Sequence, residues 1–114
     1  MPGWDDVRAL GLELPGVVEE TSYGTPALKV HGKLLARLKE DGETLALRVG
    51  FEERHALVGA NPDDFFVTAH YEDYPMVLVR LAAVDRKELR ELLEEAWLER
   101  APKRVVAAWE APRP

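Results

Sequence analysis

Cysteine is absent from the chain, which excludes disulfides, thiolate metal sites and thiol nucleophiles. Serine occurs once, at Ser22, and nothing around it has the pattern of a nucleophile elbow. No apolar run approaches the ~20 residues that span a bilayer, so no membrane partner is expected. The opening MPGWDDVRAL has neither a cationic start nor a long apolar stretch, so no secretory signal is expected and a cytoplasmic location is. Positive charge is in deficit: 15 Lys and Arg stand against 21 Asp and Glu, a formal net charge of -6. That balance disfavours non-specific attraction to DNA or anionic membrane, which needs clustered cations, yet it leaves room for a local basic face. The C-terminal APRP adds only Arg113 as a cation. His31, His55 and His70 have no partners at metal-ligand spacing, so neither a metal nor another cofactor is expected.

What is present describes a folded domain. Hydrophobic residues are 46% and charged residues 32% of 114, values that suit a soluble globular protein and argue against disorder. Pro and Gly fall singly between patterned segments, with no repeat and no linker, so residues 1–114 read as one domain.

WDDVRALGLELP predicts a short helix, with Trp4, Val7, Leu10 and Leu14 as its apolar stripe and Asp5 and Asp6 at the positive end of its dipole. Val18 to Tyr23 and Ala27 to Val30 read as extended, with SYGTP as a kink between them. FEERHALVGA predicts a brief helix with Phe51, His55, Ala56 and Leu57 inward, and NPDDFF offers Asn61 as a helix cap before Pro62. MVLVRLAAV is a strand from Met76 to about Ala83. VDRKELRELLEEAWLER is the clearest element, capped by Asp85 and Glu88, with Leu89, Leu92, Leu93, Ala96 and Trp97 on one stripe. KRVVAAWEAP adds a last helical turn or two. Hairpin-linked strands with helices between them give an α+β fold, a mainly antiparallel sheet of about five strands with helices packed on one face.

The phase of the strands decides which side chains face out. In LKVHGKLLARLKEDGETLALRV, a two-residue His31-Gly32 turn pairs Val30 with Lys33, whereas a three-residue loop pairs it with Leu34. A one-residue slip flips every side chain, and the burial pattern favours the longer loop. Leu28, Val30, Leu34, Ala36, Leu38, Leu45, Leu47 and Val49 then share the core face, with Lys29, Leu35, Arg37, Ala46 and Arg48 outward. Arg80 and Leu78 point out from the last strand. Four basic residues, Lys29, Arg37, Arg48 and Arg80, would thus share the uncovered face, while the carboxylates gather on the long helix and in loops. A solvated sheet face accounts for such residues, and so does an anion site in which Arg forks grip phosphate or carboxylate. HYEDYP places His70, Tyr71 and Tyr74 together, as rings that cover the edge of the core or on which a base could stack.

SYGTPALKVHGKLLARL and HYEDYPMVLVRL, with LPG before the first strand and LRELLEEAW near the end, resemble the MmcQ/YjbR-like family from about Leu14 to Trp97. The resemblance implies a compact α+β domain of the frataxin-like kind, a helix-backed antiparallel sheet. Its members are often labelled DNA-binding, and it brings no established catalytic residues. Lys29, Lys33 and Arg80 fall at the basic positions of the matching stretches, and Tyr23, His70 and Tyr74 at the aromatic ones.

Three functions remain open. The first is a non-catalytic module that binds nucleic acid or another anionic ligand through Lys29, Lys33, Arg37, Arg48 and Arg80, with Tyr23, His70, Tyr71 and Tyr74 beside them. The second is a protein-interaction domain. The third is a small enzyme using His70 with Tyr74 or Ser22, which requires those groups within hydrogen-bond reach.

Overall fold

The computed structural model describes residues 2–111; Arg113 lies outside them. Helix α1 (Trp4–Leu12) leads into four strands, β1 (Val17–Ser22), β2 (Thr25–Val30), β3 (Lys33–Leu38) and β4 (Thr44–Arg48). Helix α2 (Phe51–Ala60) and the short β5 (Phe65–Phe66) follow, then a 3-10 turn at Ala69–Tyr71 and strand β6 (Met76–Arg80). A second 3-10 turn at Leu81–Ala83, the long α3 (Arg86–Arg100) and α4 (Lys103–Glu110) complete the chain. The sheet is antiparallel throughout, in the order β1-β2-β3-β4-β6-β5. It has six strands rather than five because Phe65 and Phe66 pair with Val79 and Leu78. Asn61 accordingly ends α2 and starts no helix. The outer margin of β1 has no neighbour in the sheet.

Helices α1 and α3 cover one face of the sheet and touch each other. Leu89, Leu92, Leu93, Ala96 and Trp97 of α3 are all buried, as their spacing predicts. Asp85 caps the helix by accepting a hydrogen bond from the Glu88 backbone N–H at 2.7 Å. Trp97 is fully enclosed; its indole N–H donates to the Pro15 carbonyl at 2.9 Å, and Trp109 of α4 meets it edge-on at 5.0 Å. Helix α1 is tied to β1 by Glu19, which accepts from Trp4 and Arg8, both at 2.9 Å. Helix α2 lies against β5 and β6, with Leu57 and Val58 half-buried; Phe51, His55 and Ala56 face outward, contrary to the inward placement that their spacing suggests.

Both early hairpins close with two residues at positive φ, Tyr23 (52°) with Gly24 (80°), and His31 (49°) with Gly32 (78°). This is the turn whose twist matches paired strands. SYGTP is therefore a hairpin rather than a kink, with Ser22 opposite Thr25. The tight second turn pairs Val30 with Lys33, the register that the burial pattern argues against. A bulge reconciles the two. Lys29 pairs with Leu34 but Leu28 pairs with Ala36, so Leu35 is an extra residue in β3. Leu35 is fully buried in the helix-side core, whereas Leu34 lies half-buried on the other face. The expected places of these two leucines are exchanged, and beyond the bulge Ala36, Arg37 and Leu38 regain the expected phase.

The pair provides a direct test of the bulge. Leu35→Ala should cost about 2–5 kcal/mol of unfolding free energy in a denaturant titration, and Leu34→Ala less than half as much. Equal losses, or the reverse order, would contradict the register.

Candidate functional site

The face of the sheet away from α1 and α3 is not bare. Ala46, Met76 and Leu78 form a second apolar cluster there, bordered by Leu34, Phe66 and Tyr71. The segment between β5 and β6 folds over it: Tyr71 ends the 3-10 turn, its carbonyl accepts the Tyr74 N–H at 3.0 Å, and the Tyr74 carbonyl accepts the Met76 N–H at 2.7 Å. One side chain holds this segment in place. Arg54 of α2 donates to the carbonyls of Tyr71 (3.1 Å), Glu72 (3.0 Å), Tyr74 (2.8 Å) and Met76 (3.3 Å). A planar guanidinium with five donors can do this where a lysine cannot.

Beside that segment lies a cleft of about 580 Å³, in the range of small-molecule sites. Leu34, Ala46 and Met76 make its floor. Its aromatic wall is His70, Tyr71 and Tyr74; the His70 ring stands edge-on to Tyr71 at 4.9 Å and tilted 6.2 Å from Tyr74. Tyr23 closes the opposite rim from its hairpin turn, 90% exposed, with the Arg37 guanidinium 5.3 Å from its ring centre. A tyrosine at positive φ is unusual, and the left-handed turn is what projects this ring outward.

Three cations line the cleft, Arg37, Lys39 and Arg100, against one carboxylate, Glu40. Arg37 is 5% exposed; its Nε donates to the Ser22 carbonyl at 3.0 Å and its Nη2 to Glu40 at 2.5 Å. A hydrogen bond from its own backbone N–H, and then Arg37, hold the Glu40 carboxyl below the usual carboxylate range, so it is ionised at neutral pH. Lys39 donates to the Tyr71 hydroxyl at 3.1 Å and lies 3.6 Å from Glu40. Arg100 comes from the last turn of α3.

Of the residues singled out in the sequence, the cleft unites Tyr23, Arg37, His70, Tyr71 and Tyr74. The other basic residues are elsewhere, so the expected platform of Lys29, Arg37, Arg48 and Arg80 is divided. Lys29 pairs with Glu20 of β1 at 3.4 Å. Lys33 is exposed and pairs with Val30, a helix-side residue, at the end of that face. Arg48 turns toward α3, 3.7 Å from Glu99, and donates to the carbonyls of Val49 (2.6 Å) and Pro75 (3.2 Å). Arg80 extends over the Phe66 ring at 4.1 Å and donates to the Asp63 carbonyl at 2.8 Å, beside a separate hollow. Lys39, Arg54 and Arg100 escaped the sequence reading. Lys39 ends a strand by a turn; Arg54 and Arg100 lie on helices that pattern analysis assigns to packing alone. Ser22 also borders the cleft, but among the described residues no hydrogen bond joins it to His70 or Tyr74. No cluster of metal-ligating side chains occurs among the described residues, and no helix among them is long and apolar enough to cross a membrane.

Comparison with known proteins agrees with this architecture. The YjbR family model matches residues 12–99. Uncharacterised proteins of Mycobacterium bovis and Mycobacterium tuberculosis are 34% identical over 124 aligned positions, covering 96% of this chain and 96% of their own. The crystal structure of Deinococcus radiodurans protein DR2400, with the domain DUF419, superposes with a TM-score of 0.74 at 28% identity, covering 87% of this chain and 78% of that one. The chain belongs to the YjbR family, and its α+β fold with an antiparallel sheet is shared with that neighbour.

The Arg54 clamp yields a prediction. Arg54→Ala should destabilise the protein by about 1–3 kcal/mol, the scale of charge-assisted hydrogen bonds, and raise amide exchange selectively across residues 71–76. Arg54→Lys should lose nearly as much; full retention of stability by that variant would show that the carbonyl contacts contribute little.

Proposed function

We propose that this YjbR-family chain is a non-catalytic binding module whose cleft takes an anionic ligand bearing a flat ring, the form offered by one unit of single-stranded nucleic acid. The observation that carries the reading is convergence. Stacking surfaces from Tyr71 and Tyr74, an apolar floor and three cations meet in one concavity of a protein with net charge -6. Rings on an apolar floor suit a planar group, and cations beside them suit its charge. Duplex DNA fits less well, because Lys29 and Arg48 are engaged by Glu20 and Glu99 and so form no continuous basic track.

Fluorescence anisotropy with labelled single-stranded and duplex oligonucleotides checks this. Single strands should bind more tightly, and affinity should fall as salt rises. Tyr71→Ala combined with Tyr74→Ala should weaken binding by about 5- to 150-fold, the equivalent of ~1–3 kcal/mol of stacking. Glu40→Gln, which releases Arg37 from its partner, should strengthen it. Lys29→Ala and Arg80→Ala, outside the cleft, should leave it unchanged. Absence of binding, or binding that ignores the tyrosines, would overturn the proposal.

A further inference from the structure

The three cations of the cleft differ in what they already hold. Arg37 is spent on the Ser22 carbonyl and Glu40, and Lys39 on the Tyr71 hydroxyl with Glu40 nearby. Arg100 is not spent. Among the described residues it forms no ion pair, and its Nε is buried without a partner. The carboxylate next to it in the chain, Glu99, lies 3.7 Å from Arg48 and forms no ion pair with Arg100. Burial and the Arg48 charge both disfavour the charged form of Arg100, which an incoming anion would stabilise. A buried donor left unmade is costly, and such groups are usually satisfied by a ligand, ion or water.

Resting on the ligand reading above, we propose that Arg100 is the anion anchor of the cleft and that the ligand is a phosphate monoester of a flat-ring compound, with the ring against Tyr71 and Tyr74. The charge of the lining selects the class. Three cations against one carboxylate leave two positive charges unbalanced. A phosphate monoester carries about -1.5 to -2 near pH 7, whereas a phosphodiester or a carboxylate carries one charge. The forked donors of arginine also fit phosphate oxygens in pairs. A terminal phosphate, on a free nucleotide or at the end of a strand, is therefore favoured over an internal one. The cleft volume of about 580 Å³ accommodates a ligand of that size.

Isothermal titration with a nucleoside monophosphate, the matching nucleoside and a dinucleotide with only an internal phosphodiester tests this. The wild-type chain should prefer the monophosphate over the other two by at least about tenfold, roughly 1.4 kcal/mol. Arg100→Gln should abolish that preference while leaving nucleoside affinity unchanged, and Arg100→Lys should retain part of it. Tyr74→Ala should weaken all three ligands together. Circular dichroism establishes that each variant is folded, and Arg100→Lys carries the test if Arg100→Gln is not. Equal affinity for monophosphate and nucleoside, or a preference that survives both Arg100 substitutions, would overturn the assignment of Arg100. Should oligonucleotides bind through the tyrosines without any phosphate preference, this inference falls and the ring-binding function stands. If no ring compound binds, both fall.

Discussion

A strand alternates its side chains with a period of two, so a tight turn and a buried face can be satisfied together only when their phases agree. Here they disagree. The His31-Gly32 turn demands that Val30 face Lys33, while the core needs Leu28 and Ala36 on the same side as Val30. Leu35 absorbs the difference as a bulged residue, and its side chain fills the helix-side core. Everything downstream inherits the corrected phase. Arg37 reaches the open face, Ala46 opposite it leaves space for a floor, and Leu47 and Val77 continue the buried row. Were β3 to run from that turn in regular alternation, with no bulge at Leu35, Arg37 would be aimed into the packing of α3.

The second organising contact lies between α2 and the segment before β6. Arg54 gathers four backbone carbonyls, those of Tyr71, Glu72 and Tyr74 before β6 and that of Met76 at its start. The carbonyls of Tyr71 and Tyr74 already accept the backbone N–H groups of Tyr74 and Met76, and the guanidinium adds a second donor to each. Holding them fixes the positions of Tyr71 and Tyr74, and so converts the middle of the open face from a flat surface into a concave one. The apolar residues on that face fit the same arrangement: Ala46, Met76 and Leu78 are buried among Leu34 of β3, Phe66 of β5 and, from the segment, Tyr71.

Much of the architecture was legible in the sequence because it rests on local chemistry. The Asp85 cap, the stripe from Leu89 to Trp97 and the alternation around Leu45 and Leu47 each state their own environment. The exchange of Leu34 and Leu35 was not legible, since it depends on a conflict between turn geometry and burial that only pairing resolves. Two residues are also too few for a strand signal, so β5 was missed. For the cleft, the aromatic cluster was visible as HYEDYP, but the assumption that strand-borne cations would act together was not sufficient. Arg48 and Lys29 find acids on neighbouring elements, while Arg100 arrives from the end of a helix that is close only in space. Long-range electrostatic pairing leaves no periodic trace.

The unpaired margin of β1 also shapes how copies of the protein meet. Its middle carries Glu19 and Glu20, each already committed to a cation of its own chain. Lateral growth of the sheet by antiparallel docking of two such margins would oppose carboxylate to carboxylate and strip away those native partners. The opposite border, β5, is two residues long and offers too short a template. Both borders of the sheet thus carry features that disfavour edge-to-edge pairing.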